Sequence, residues 1–467
     1  MGTGKTWIVI NNIADLWASG DCDAVLVFAP NGVHSNWTRL ELPKHMPDWV
    51  RWKAAAWTAN PNKAERDALA ALADNGNNEM RVLTMNWEAL QSKRGADFAM
   101  QFAQSAERLM IVCDESDAVK NPTAKRTKEL MKLKGYSKWR RIMSGTPINN
   151  APFDAFSQFL FLDSRILGTT SFYAFKAEYA EMLPPTNALV QSIREKTGSR
   201  GVPQVVATSA GRPKYRNLEK LSQKIAPHSF RVLKKECLDL PDKIYKTLYF
   251  DLTPQQRVIY KKANDECRLA FEGEETPFNK LVAVTKLAQV TSGYYIHPLS
   301  EEPVRIEGDN PKLDLTIDRI KAIVASDEKV IVWARYRIEI QDIVARLRAE
   351  GIKPVEYHGG TKPGERVEAI EAFENGEAQV FVGNQQAGGT GITLVAASYV
   401  IYFSNNFSLR DRLQSEDRAH RIGQTKNVTY FNIAGKGTID EAVIGALSSK
   451  KDVAETIIDR GLKLFSG

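Results

Sequence analysis

Two hydrophobic periods share this chain, and the places where one gives way to the other outline its architecture. Over residues 1–150, short β-branched and apolar runs at 24–29, 81–84, 109–113 and 141–143 alternate with stretches of helical spacing such as 6–17 and 63–73. Continuous apolar runs of this length, separated by amphipathic helices, predict a parallel sheet covered on both faces. The rhythm returns late, with strands expected at 330–333, 355–357, 380–382, 399–403 and 428–433 and helices at 338–350, 363–375 and 409–418. Between about 160 and 300 the alternation disappears and the pattern reads as mainly helical, with a polar loop near 197–216. The tail at 438–464 is again helical. The expected fold is therefore α/β, with a first parallel-sheet lobe at 1–162, a mainly helical insertion and inter-lobe region at 163–300, and a second lobe with a C-terminal helix at 301–467.

Composition narrows the class. The chain has 467 residues, 43% hydrophobic and 25% charged, ordinary values for a globular protein with about three domains. A net charge of +7 favours a polyanionic partner where the basic groups cluster. Cys22, Cys113, Cys237 and Cys267 have no zinc-ligand spacing and are too few for a disulfide framework, which fits a reducing compartment. No apolar run approaches the roughly 18 residues of a membrane span, and the N-terminus has no signal-peptide pattern.

The chemistry sits at the ends of the expected strands. Gly4-Lys5-Thr6 opens a helix, and Gly2-Thr3 precede it. Glycine lets backbone wrap a phosphate, and the helix N-terminus presents N–H groups to it. Lys5 would pair with the β- and γ-phosphates of ATP, and the Thr6 hydroxyl would ligate Mg²⁺. The full phosphate loop reads G-x-x-x-x-G-K-[ST]; its first glycine and the strand feeding it would fall before Met1, so a truncated or mis-assigned start is expected. Asp114 and Glu115 follow the run Leu109-Met110-Ile111-Val112-Cys113. A carboxylate pair there suits phosphoryl transfer, with Asp114 holding the metal and Glu115 orienting or deprotonating the attacking water. Arg418 and Arg421, three apart and on one face if helical, would bring positive charge to the γ-phosphate.

Taken in order along the whole chain, the motifs resemble those of the Swi/Snf-type ATPases, a branch of the superfamily-two helicases. Pro30 with Asn36-Trp37 is similar to that family's first-lobe DNA motif, and Ser144-Gly145-Thr146-Pro147-Ile148-Asn149-Asn150 to its coupling motif. Arg231, Lys234 and Leu240-Pro241 with Lys243 resemble the segment between its lobes, and Gln256 and Tyr260 the helix after it. Ala387-Gly388-Gly389-Thr390-Gly391 and Gln414 through Asp417-Arg418-Ala419-His420-Arg421-Ile422-Gly423-Gln424 resemble the fifth and sixth motifs. The chain departs from the family where Asp117 stands in place of the usual histidine and where Phe407-Ser408-Leu409 replaces Trp-Asn-Pro.

The resemblance implies two RecA-like lobes, ATP and Mg²⁺ as cofactors, and double-stranded DNA as partner, gripped through phosphates without regard to sequence. It adds Gly389 and Gln414 to the nucleotide site. Pro30, Asn31, Thr84, Gly388 and Thr390 would contact DNA. ATP would draw the arginines onto the first lobe's phosphates, and hydrolysis would release them, ratcheting the duplex along. The compact form is similar to bacterial or phage members, so a cytoplasmic location in a bacterial or virus-infected cell is expected; no membrane is implied and protein partners stay open. The leading reading is an ATP-driven duplex-DNA translocase that remodels DNA or displaces bound proteins. The alternatives are a strand-separating helicase and a catalytically impaired DNA-binding protein.

Overall fold

Strands that are apolar at every position need cover on two sides, and the first sheet has it. The computed structural model describes residues 3–463 apart from 32, 74–77, 146, 185, 188–189, 192–204, 207–212, 233, 273–276, 298 and 389–391. The described residues fall into two compact units, one made of 3–190 with 205–232 and 452–463, the other of 191 with 234–451. In the first unit, strands β1 (Ala24–Ala29), β2 (Trp52–Ala56), β3 (Met80–Asn86), β4 (Leu109–Asp114) and β5 (Ser137–Met143) form a parallel sheet in the order β2-β3-β1-β4-β5.

Side chains of β1 and β4 alternate between two cores. Leu26, Phe28, Ile111 and Cys113 pack with Leu69, Phe102 and Leu130 on one face. Val25, Val27, Met110 and Val112 pack with Val9, Ile10 and Ile13 of helix Lys5–Ala18 on the other. The order of the sheet places β1 between β3 and β4, so the chain reverses its direction of growth there. Ligand crevices of open parallel sheets lie beyond the C-terminal strand ends at such a point. The helices Ala155–Leu162, Phe172–Tyr179 and Leu218–Ile225 build a separate aromatic core from Phe156, Phe159, Phe175, Tyr179, Leu221 and Ile225.

The second unit contains strands β6 (Lys243–Phe250), β7 (Tyr294–Ile296), β8 (Pro303–Arg305), β9 (Lys329–Trp333), β10 (Pro354–Tyr357), β11 (Val380–Gly383), β12 (Ala397–Tyr402) and β13 (Val428–Gly435). Six of them form a parallel sheet in the order β10-β11-β9-β12-β13-β6, and β7 and β8 make a small antiparallel ribbon. Both faces are again buried. Val330, Val332 and Ile401 pack against helices Pro311–Val324 and Arg337–Ala349, and Ile331, Trp333 and Tyr402 pack with Phe373 and Ala419.

The middle of the chain differs from the mainly helical expectation at two places: residues 243–250 are a strand, paired in parallel with β13 along eight positions, and Tyr294–Ile296 is a strand of the small antiparallel ribbon. β2 is also absent from the sequence reading. Helices Pro254–Glu272 and Pro277–Thr291 follow β6, as the pattern suggested. Among the described residues, no helix is long and apolar enough to cross a membrane.

Candidate nucleotide and nucleic-acid site

The end of β4 carries the densest chemistry of the first unit. Asp114 is the last residue of the strand, and Glu115 follows with φ 51° and ψ 56°. This left-handed backbone disfavours any residue with a Cβ, by about 1–2 kcal/mol. Strain of this kind persists where the surroundings hold it and is concentrated at working sites. It turns the Glu115 side chain to within 3.9 Å of Lys5, measured from Nζ to Oε1. Lys5 opens helix Lys5–Ala18, whose N-cap Gly4 has φ 80°, a conformation that suits glycine. Lys5, Thr6, Asp114 and Glu115 therefore belong to two neighbouring segments, as the sequence reading required.

Two indoles hold Asp114. Trp37 donates its Nε1–H to Asp114 Oδ2 at 3.1 Å, and Trp87 donates to the Asp114 main-chain oxygen at 3.0 Å. Burial, and then the charge of Glu115, push the Asp114 carboxyl up to about 6, while Lys5 and the Trp37 N–H pull it the other way. Lys5 Nζ and Glu115 Oε2 are both buried without a hydrogen-bond partner in the protein. A cation and a carboxylate oxygen left in that condition fit a ligand that brings phosphate oxygens and a water or metal ion between them. The donor set thus matches ATP with Mg²⁺, for which Thr6 and Asp114 are the metal candidates.

The turn after Glu115 is tied to the coupling segment. The Ser116 hydroxyl donates to Gln158 Oε1 at 2.7 Å, and Gln158 Nε2 donates to the Pro147 oxygen at 2.6 Å. Asn149 Nδ2 donates to Asp117 Oδ2 at 3.0 Å. Asp117, where the family pattern has a histidine, accepts here; Asn149 supplies the donor.

In the second unit, helix Leu409–Ala419 presents the sixth-motif residues. Arg418 is buried and donates from Nη1 to the Ile392 oxygen at 3.0 Å, and Leu394 N bonds the Arg418 oxygen. Arg421 lies beyond the helix, because His420 at φ −92°, ψ 78° ends it. The condition under which the two arginines would share one helical face is therefore not met: Arg418 is on the helix and Arg421 is not. Gln414 is buried on the same helix. Gln424 Nε2 reaches the main-chain oxygens of Val395, Ala397 and Ala419 at 2.9–3.3 Å, so it fastens the segment to β12.

A buried ionic network beneath this helix was invisible in the sequence. Glu416 accepts from Arg412 Nε at 2.9 Å, Lys243 Nζ at 3.1 Å and the Tyr245 hydroxyl at 2.7 Å. Burial works to raise the Glu416 carboxyl, but Lys243, Arg412 and Tyr245 outweigh it and hold it below its usual range. The His420 ring bonds the Pro241 oxygen at 2.7 Å through Nε2. The Leu240-Pro241 segment and the sixth motif, remote in sequence, thus meet at β6.

The nucleic-acid candidates divide. Pro30 and Asn31 follow β1 at the strand's C-terminal end, with Asn31 exposed. Thr84 is fully buried inside β3, its hydroxyl shut away from solvent in this structure. Gly388 ends the short helix Gln385–Gly388. Gly2, Gly389 and Thr390 lie outside the described residues. Among the described residues, no group of three or more His, Cys, Asp and Glu forms a separate metal cluster.

Comparison with known proteins adds an independent line. Residues 1–292 match the SNF2-related domain, and residues 312–423 match the Helicase conserved C-terminal domain. A Mycoplasma pneumoniae protein named as an uncharacterized ATP-dependent helicase is 26% identical over 98% of this chain and 40% of its own length. YwqA of Bacillus subtilis, named for ATP-dependent helicase/translocase activity, is 26% identical over 98% of this chain and 46% of its own. The chain therefore spans less than half of either relative. Among solved structures, the SWI2/SNF2 ATPase core of Sulfolobus solfataricus in complex with dsDNA is 24% identical, with a TM-score of 0.38, covering 99% of this chain and 88% of that one.

Proposed function

We propose, from the premise that this chain belongs to the SNF2-related domain family, that it is an ATP-driven motor that translocates on double-stranded DNA to remodel it or displace bound proteins. The observation that carries the proposal is the first unit's ion pair between Glu115 and a Lys5 ammonium that makes no hydrogen bond within the protein, beside the buried Asp114. Lys5 and the N-terminal amides of its helix bind the β- and γ-phosphates of ATP. Glu115 orients the attacking water, and its fixed backbone keeps that carboxylate aimed. Thr6 and Asp114 would hold Mg²⁺, which supplies charge neutralisation at the transferring phosphoryl group. Arg418 and Arg421 contribute further positive charge to that group.

Pro30, Asn31 and Gly388 contact duplex DNA through its phosphates, and such contacts carry no sequence information. A motor that must move along any sequence needs a grip of this sort. The net charge of +7 supports a polyanionic track.

ATP turnover by the protein, with and without duplex DNA, tests the reading. Stimulation by duplex together with displacement of a third strand from a triplex is the expected result. Release of a labelled strand from plain duplex would identify a strand-separating helicase instead. Nucleotide-independent DNA binding with no turnover would show a binding protein.

A further inference from the structure

Trp37 lies 77 residues from Asp114 in sequence, yet its indole N–H is spent on that carboxylate. We propose that Trp37 is a positioning residue for ATP hydrolysis: its indole N–H fixes the orientation of the Asp114 carboxylate toward the metal ion. The inference rests on the proposed ATP site and assigns to Trp37 a role separate from nucleic-acid contact.

The argument starts from the torsion. The terminal torsion of an aspartate is broad, so an untethered carboxylate samples many orientations. Asp114 is also next to a second carboxylate and out of water, which makes its charged form expensive without donors. Trp37 removes both problems with one bond of 3.1 Å. The indole has no alternative role as an acceptor, because it is a donor only. Trp37 is itself 1% exposed and packs with Val27, Leu42 and Val112, so its ring is held by the core and cannot follow a wandering carboxylate.

Trp87 supplies an internal control. It is equally buried and also bonds Asp114, but at the main-chain oxygen, which the strand already holds. Both indoles anchor the residue; only Trp37 touches the group that would meet a metal. Partners that orient metal-binding side chains contribute about 10–100-fold to metal affinity or activity.

The test compares Trp37→Phe and Trp87→Phe in the full-length protein. Binding of Mn²⁺ in the presence of a non-hydrolysable ATP analogue is followed by electron paramagnetic resonance, with duplex affinity and melting temperature measured in parallel. Trp37→Phe is expected to raise the Mn²⁺ half-saturation about tenfold or more. Trp87→Phe should leave the metal response unchanged even where it lowers the melting temperature. Equal metal responses in the two variants, or a Trp37→Phe response equal to the parent's, would overturn the inference.

If Trp37→Phe does not fold, Trp37→Tyr and the unmodified protein decide. The ¹⁵N-indole signal of Trp37, assigned through the tyrosine variant, should move when Mg²⁺ and the analogue are added, and an unmoved signal overturns the assignment. Failure of the unmodified protein to bind metal and nucleotide at all would remove the functional reading and this inference with it. Normal binding by the parent with an unaltered variant removes the inference alone.

Discussion

Replacing Glu416 by glutamine takes one charge out of a buried network while preserving its shape. Glu416 is 3% exposed, and the side chain of Arg412, its partner at 2.9 Å, is 8% exposed. Lys243 can turn toward Asp417, 3.6 Å away, and toward solvent, because its side chain is 23% exposed. Arg412 keeps Asn405, Asn432 and the face of Tyr402 at 3.4 Å, but loses the Glu416 carboxylate and gains an amide in its place. Breaking a buried ion pair on one side costs about 3–5 kcal/mol, and the retained acceptors argue for about 3. That corresponds to roughly a hundredfold change in a local opening equilibrium.

Native-state hydrogen exchange of amides in β6 and helix Leu409–Ala419 reads this directly, without requiring both units to unfold in one step. The expected result is exchange about a hundredfold faster in Glu416→Gln. Glu377→Gln serves as control, since its pair with Lys353 at 3.4 Å is almost wholly exposed and should be worth under about 1 kcal/mol. The sign with pH follows from linkage. A carboxyl held below its ordinary value of 4.5 stabilises the fold in full above that value and loses the contribution as pH falls through the folded value. The gap between parent and variant should therefore narrow in acid. An effect at neutral pH below about fivefold, or about 1 kcal/mol, would refute the reasoning.

Three further outcomes are expected. Glu115→Gln should lower ATP turnover about 10²–10⁴-fold while nucleotide and duplex binding persist; turnover assays beside fluorescence anisotropy check this, and normal turnover would remove Glu115 from the chemistry. Arg421→Ala should cut turnover by about 10³ or more with no change in exchange protection of helix Leu409–Ala419; near-parental rates would dismiss it. Burial pushes the Cys22 thiol up to about 12, whereas Cys237 is exposed. Alkylation of the folded protein at pH 8, mapped by mass spectrometry, should mark Cys237 before Cys22, and the reverse order would contradict the packing.

The long apolar strands were legible because both faces of β1, β3 and β4 are buried, which leaves no polar alternation to blur them. β2 escaped because Trp52-Lys53-Ala54-Ala55-Ala56 carries little apolar volume. β6 escaped because it is an edge strand with Lys243, Ile244, Tyr245 and Lys246 partly or wholly in water. Lys5, Asp114 and Glu115 were readable from residue type and position at strand and helix ends. Burial was not: residue type alone does not reveal that the Thr84 hydroxyl is enclosed within β3. The helix end at His420 was hidden as well: no Gly or Pro at 420–422 marks it in the sequence, and the His420 ring's contact with the Pro241 oxygen is remote along the chain. Trp37 was noticed beside Asn36, but its partner Asp114 is set by sheet order, which local patterning does not reveal.

The pairing of β6 with β13 has a consequence for the order in which this protein is made. Asp242 donates from its main chain to Asn427 across a sequence separation of 185 residues, and the ladder continues from there. A ribosome therefore releases the first strand of that sheet long before its neighbour β13 exists. Until then an edge with Ile244, Tyr245 and Tyr249 in water must wait, exposed to whatever else can pair with it. Contacts this distant are slow to close, because the chain between them must be brought in first. Completion of the second unit is thus deferred until β13 emerges and seals the sheet.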